Sequence, residues 1–372
     1  MGIVGAPPAF IGLLVPIRES GSMLPQAFLS GLVKRSALRK RVFVLGAVGQ
    51  ALCLAAMAVA TLVLSGVSAG VTIIVLLTFH ALSRCLCSIA SKDVLGKCVP
   101  KGARGNVSGI ASSVAGLFGL VGALVFMFGV DRDASKFLLA GLLFAGAALY
   151  ILAAFSIATV SEEPSSDDPP DNLVDDFWRR LKMVSTDKVL RRFVIARSLL
   201  LGSALGSPYL VVLSQSLGQG VKLLAAFVFA GGLASTLSAV LWGKLSDHSS
   251  RIAMVLGGGM AAVIGFAAVS IARWFPEIAV SQWIWPTLFF LMNIGYEGVR
   301  IGRKTYVVDI SDGADRTDYV SASNTVIAVV LLVFGAIAAM LQVFGPTSAL
   351  LMFSVMCSLG SALAFRLKSV GL

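Results

Sequence analysis

The chain has 372 residues, 57% of them apolar and 13% charged, and its mean hydropathy is +0.90. A water-soluble domain of that balance would expose large apolar patches, so a soluble fold is excluded and the bilayer is the solvent. The formal charge of +11 does not point to nucleic acid, because the basic residues cluster in short connections between apolar runs.

Windows of about 20 residues with almost no charge recur, each long enough at roughly 1.5 Å per residue to cross a hydrocarbon core of about 30 Å. Eleven spans are predicted, over 4–30, 42–65, 70–96, 106–129, 136–158, 189–215, 222–243, 252–273, 281–303, 319–343 and 347–367. Their length, their Gly/Ala/Leu/Val content and the lack of alternation read as helices rather than barrel strands, because backbone polar groups in lipid must be satisfied within the segment. The fold class is therefore an all-α polytopic membrane protein.

An ionisable residue at bilayer depth costs at least about 2.5 kcal/mol, so it faces the bundle interior and marks a pathway or a structural pair. The first span holds PIRESGSMLPQ, with Arg18 and Glu19 midway and Pro16, Gly21 and Pro25 interrupting regular hydrogen bonding. Glu19 shares a face with Ser22, Met23 and Gln26, and Arg18 with Ser22 and Pro25. Glu19 is a candidate proton carrier and Arg18 a candidate anion-binding group; the competing reading is a fixed salt bridge, for instance of Glu19 with Arg84.

In the span 70–96, His80, Arg84, Ser88 and Ser91 form one polar stripe, and Arg84 is the leading substrate-contact candidate. For His80 a neutral core imidazole is the commoner alternative to a proton relay. Cys85 and Cys87 have only His80 nearby and read as packing residues; the five cysteines imply no disulfide framework and no metal site. Gly109, Gly116, Gly119 and Gly122 in the span 106–129 read as close helix packing.

Residues 159–188 break the pattern with TVSEEPSSDDPPDN followed by the amphipathic LVDDFWRRLKMV. This divides the chain into a five-span N-terminal bundle (1–158), a linker (159–188) and a six-span C-terminal bundle (189–372). Arg197, early in the next span, reads as an interface residue. The span 281–303 carries Asn293, Tyr296, Glu297 and Arg300, followed by Arg303 and Lys304. Tyr296, Glu297 and Arg300 are pathway candidates, against the alternatives that Glu297 and Arg300 simply pair and that Arg303 and Lys304 snorkel to the interface.

The connections holding Lys34, Arg35, Arg39, Lys40 and Arg41, and Lys97, Lys101 and Arg104, are expected on the cytoplasmic side of a bacterial inner membrane. Alternation then puts the C-terminus inside and the N-terminus of this chain in the periplasm.

The halves repeat. Lys92–Val114 aligns without gaps onto Lys304–Val326, an offset of 212 residues, and GLVKRSALRKRVFVLGA from Gly31 matches GKLSDHSSRIAMVLGG from Gly243 at nearly the same offset. GKLSDHSSR resembles the loop motif of the major facilitator superfamily, with Gly243, Asp247 and Arg251 in its Gly, Asp and Arg places. In the first half Gly31 fits, and Arg35 stands where the family has Asp. Span order, central linker and repeat extend the resemblance over the whole chain, and MGIVGAPPAFIGLLVPIRESGSMLPQAFLSGL with SKDVLGKCVPKGARG looks like a bacterial branch of the superfamily. The resemblance implies a two-bundle secondary transporter of usually twelve helices, here seen as eleven because the repeat offset puts the counterpart of 189–215 almost wholly before residue 1; a misassigned start, a truncated gene and an eleven-helix form are the three expectations. It also implies that the charge-free spans 42–65, 136–158, 252–273 and 347–367 are the outer helices.

No metal-ligand helix motif, nucleophile elbow, phosphate loop, Walker motif or paired catalytic carboxylates occur in a plausible context, so neither an enzyme nor an ATP-driven pump is expected. The reading is a monomeric transporter of a small polar or anionic solute in the lipid bilayer, with a proton as candidate coupling ion and no cofactor. Its rivals are a transporter-like protein that does not transport, such as a receptor or assembly factor, a truncated product, and a drug or lipid exporter, for which the Gly-Pro antiporter signature is not evident.

Overall fold

The computed structural model describes residues 14, 17, 18, 20–129, 136–165, 172–217, 223–311 and 316–370, without side chains at 123, 125–129, 224 and 225. All regular structure among these is helical: α1 Gln26–Lys34, α2 Arg39–Val63, α3 Gly66–Cys98, α4 Arg104–Gly129, α5 Lys136–Ala158, α6 Leu173–Thr186, α7 Lys188–Leu200, α8 Gly202–Ser216, α9 Leu223–Trp274, α10 Ile284–Asp309, α11 Arg316–Leu341 and α12 Pro346–Phe365, with short turns at Pro276–Ala279 and Gln342–Phe344.

Each predicted span from residue 42 onward coincides with helix, while residues 4–13, 15, 16 and 19 of the span 4–30 lie outside the described residues. Pro25 separates α1 from a helical stretch at 20–23, as its ring and missing N–H require. The predicted span 189–215 is two helices, α7 and α8, meeting at Leu201. Conversely, two predicted spans merge in α9, whose backbone leaves helical geometry at Ser249 (φ −158°, ψ 100°). Among the described residues eight helices are long and apolar enough to cross a membrane, and the 49 residues Ala226–Trp274 have length for two crossings about Ser249. α10 is not one of the eight, because Asn293, Glu297 and Arg300 lower its apolarity.

Contacts divide the chain into two compact units. One comprises residues 1–99, 130–186 and 311–332; the other comprises 100–129, 187–310 and 333–372. This grouping does not follow the linker. α4, from the first half of the sequence, packs on α9 of the second, and the first part of α11 belongs with the helices of the first half.

Small residues permit the close packing. A Cβ on Gly105 would lie 2.4 Å from the Gly243 carbonyl oxygen, and one on Gly109 would lie 2.4 Å from that of Ala239, so α4 and α9 approach backbone to backbone. Gly116 is equally confined by Thr236, whereas Gly119 and Gly122 face open space and do not share the role expected of them. Alanine recurs throughout the buried apolar set, while Leu45, Leu52, Phe137, Phe155, Leu241 and Val263 point outward. Large apolar side chains outside and small ones at helix contacts are what lipid solvation favours.

Candidate functional site

In the first unit the polar residues of α1 and α3 meet. Gln26 is fully buried; its Nε2 donates to the Ser22 carbonyl oxygen (2.8 Å) and to Ser88 Oγ (3.3 Å), and its Oε1 accepts from Asn324 Nδ2 (2.6 Å) on α11. The adjacent Ala27 N–H donates to Thr325 Oγ1 (3.0 Å). Gln26 therefore ties α1 to α3 and α11. His80 sits edge-on to the Tyr150 ring of α5, with centroids 5.8 Å apart, and its buried Nδ1 has no hydrogen-bond partner among the described residues. Arg84 is half-buried one turn along and Arg18 is exposed. Glu19 lies outside the described residues, and with it the proposed pair with Arg84. Cys87 takes a hydrogen bond from Gln50 Nε2 (3.2 Å) and donates to the Phe43 carbonyl oxygen (3.3 Å).

In the second unit α10 is fixed against α9 on one side, where Gly295, Gly298 and Gly302 meet Gly257, Trp242 and Met254. Another side carries the predicted stripe. Asn293 Nδ2 bonds back to the Phe289 carbonyl oxygen (2.8 Å). Arg300 pairs with Glu297 through Nη2 at 2.7 Å and Nε at 3.0 Å, and its guanidinium lies 6.0 Å from the centre of the Tyr296 ring. Glu297 is buried while a quarter of the Arg300 side chain is exposed. Arg197 is buried on α7, which packs against α12.

The loop motif closes helix ends with charge. Gly243 brings α9 against α4, and the Asp247 carboxylate accepts from the backbone N–H groups of Gly105 (2.6 Å) and Asn106 (2.7 Å). Those amides head α4 and have no partner within it, and a carboxylate there also meets the positive end of the helix dipole. Arg251 does the complementary work at a C-terminus, donating to the carbonyl oxygens of Phe365 (3.2 Å) and Leu367 (3.1 Å) at the end of α12. At the head of α4, Arg104 and Asp309 form an ion pair at 2.7 Å.

The repeat-related cluster in the first unit has different polarity. Gly31 is buried, but Arg35 is exposed and it is Lys34 that reaches an acid, Asp318 in the first turn of α11, at 2.8 Å. Asp318 also accepts from Arg179 and Arg180 of α6, each at 2.8 Å. Arg180 is wholly buried; it donates to the Ala27 carbonyl oxygen (2.7 Å) and pairs with Asp176. Arg39 is also wholly buried, donating to the Val33 carbonyl oxygen (2.7 Å) and facing Asp93 at 3.3 Å, where Thr317 also donates. Beyond α5, Glu162 accepts from the Arg39 (2.9 Å) and Lys40 (2.7 Å) N–H groups that head α2 and from Lys97 Nζ (2.9 Å).

Arg39 entered the sequence analysis only as a loop charge, and Asp93, Glu162, Arg180 and Asp318 are not singled out there. The repeat offset carried the signal for one of them, since Arg39 stands 212 residues before Arg251.

A family model described as Major Facilitator Superfamily matches residues 1–328. No curated protein matches the chain. Among solved structures, the proton:xylose symporter XylE bound to 6-bromo-6-deoxy-D-glucose aligns with a TM-score of 0.76 at 11% identity, covering 97% of this chain and 87% of that one. The E. coli fucose:proton symporter FucP aligns at 0.70 and 14% identity, covering 97% and 91%. The human organic anion transporter MFSD10 (TETRAN) aligns at 0.68 and 16% identity, covering 95% and 83%. At these identities the likeness is one of fold.

Proposed function

Because the chain belongs to the Major Facilitator Superfamily, and is thus a multi-pass membrane secondary transporter rather than an enzyme, we propose that it carries a small polar or anionic solute by alternating access of the bundles 1–158 and 189–372. A proton is the coupling ion, and the membrane is a bacterial inner membrane with the basic loops and the C-terminus in the cytoplasm. The carrying observation is the charged face of α10, where Glu297 is buried against Arg300 and Arg300 keeps part of its surface open. Buried charge at this depth is costly and is kept where a pathway uses it. Arg84 and His80 of α3 supply the first-half counterpart, with Arg84 binding an anionic or hydroxyl-rich group and Glu19 or Glu297 taking the proton.

The test is uptake of labelled aldoses and carboxylates into proteoliposomes with an imposed pH gradient. Saturable uptake of one class, stimulated by an alkaline interior and abolished in well-folded Arg84→Gln, is expected. Silence across the panel from folded protein would favour a transporter-like protein that does not transport. Full activity in Arg84→Gln would remove Arg84 from the pathway.

A further inference from the structure

A second binding site lies away from these residues, where the start of α7 meets the end of α12 in the second unit. Arg192, Ile195, Leu363, Arg366 and Leu367 line a pocket of about 320 Å³ there, near the lower end of the range for small-molecule sites. Arg192 stands on α7 and Arg366 directly follows the last residue of α12, and among the described residues neither guanidinium has a carboxylate partner. The nearest acid in sequence, Asp187, is already used capping α7 through the N–H groups of Val189 and Leu190. The exposed carbonyls at the end of α12 are likewise taken, by Arg251 and by the Tyr306 hydroxyl, which donates to the Lys368 carbonyl oxygen (3.1 Å). Arg192 and Arg366 thus retain their donor capacity, and the wall between them is held in place.

The remaining lining is apolar, and Ile195 is half exposed. Two fork-shaped donors at helix ends, above an apolar wall that continues down two membrane-crossing helices, match a phosphate ester with a hydrocarbon tail. Lys188 and Arg191, close to Arg192 in sequence, and Lys368, close to Arg366, add positive charge. We propose that this pocket binds the phosphate headgroup of an anionic phospholipid from the adjoining leaflet, with its acyl chain lying along Ile195 and Leu363. A soluble phosphate would use the guanidinium pair but not the apolar wall.

The experiment is native mass spectrometry with thermal unfolding of the full chain in detergent, with phosphatidylglycerol, phosphatidylcholine or inorganic phosphate added. Phosphatidylglycerol is expected to remain bound and raise Tm, and phosphatidylcholine and phosphate to do neither. Its affinity should fall about tenfold or more in Arg192→Gln/Arg366→Gln and stay unchanged in Arg273→Gln, which removes a charge at the opposite end of the bundle. Leu363→Trp fills the pocket with both arginines kept, so it should weaken binding as well and stands in if the double variant fails to fold. Equal retention of the two lipids, a full shift with phosphate alone, or undiminished phosphatidylglycerol binding in Leu363→Trp would overturn the proposal.

Discussion

Asp318 occupies in the first turn of α11 the place that Asn106 occupies in the first turn of α4, 212 residues earlier. At α4 the acid arrives from outside the helix, as Asp247, and the helix offers its amides. At α11 the acid belongs to the helix and the cations arrive from outside, as Lys34, Arg179 and Arg180. One duplicated arrangement has become two of opposite polarity.

The first consequence concerns the acid at the centre of this cluster. Asp318→Asn removes the carboxylate that Lys34 shares with the wholly buried Arg180, and removing one partner of a buried pair costs about 3–5 kcal/mol. Arg180 keeps Asp176, so the lower part of that range is expected. Thermal unfolding in detergent measures the loss, and an unchanged Tm would show that water already screens the cluster.

Asp247→Ala removes two caps from α4 and should destabilise the protein by about 1–2 kcal/mol. Asp247→Asn keeps one acceptor oxygen but no charge and should fall between the two. Equal losses for both variants would mean that geometry, not charge, carries the contact.

Glu162 governs acid stability at the head of α2. Burial pushes its carboxyl up, but the Lys40 and Arg39 amides and the Lys97 ammonium together pull it further down, below the usual carboxylate range. A depressed folded value means that the stabilisation is fully present above the unfolded value of about 4.3 and is lost as pH falls through the folded one. The wild type should lose Tm below about pH 4, and Glu162→Gln should start lower at neutral pH and fall less steeply. Parallel pH profiles would exclude Glu162 as the titrating group.

The glycines of α4 divide into two classes. Gly109→Ala drives a Cβ into the Ala239 carbonyl oxygen and should separate α4 from α9, with a clear drop in Tm. Gly122→Ala meets nothing within 4 Å and should leave stability unchanged or slightly raised. Comparison of the two melting curves checks this directly.

The fold was legible because span length and apolarity are local properties, and the break at Pro25 and the motif at Gly243, Asp247 and Arg251 could be read for the same reason. Their partners were not. Gly105 lies 142 residues from Asp247 and carries no side chain to notice. Asp318 and Asp93 lie near helix ends, where charge is ordinarily taken for solvation, and their pairing with Arg180 and Arg39 depends on tertiary contacts that periodicity does not encode. The stripe on α10 was visible as spacing, but only the structure distinguishes Asn293, bonded within its own helix, from Glu297, committed to Arg300.

The reversed polarity makes the two halves of the gene no longer interchangeable. A chimera with stretch 243–251 in place of 31–39 would restore ancestral symmetry on paper, yet it would put an aspartate at position 35 and, from Ser246, a serine at position 34, taking from Asp318 one of its three cations and setting a second acid near it. The reciprocal graft would face the free amides of α4 with an arginine. Since the duplication, each loop has become matched to the helix end it meets, and drift in one is constrained by a residue in the other half.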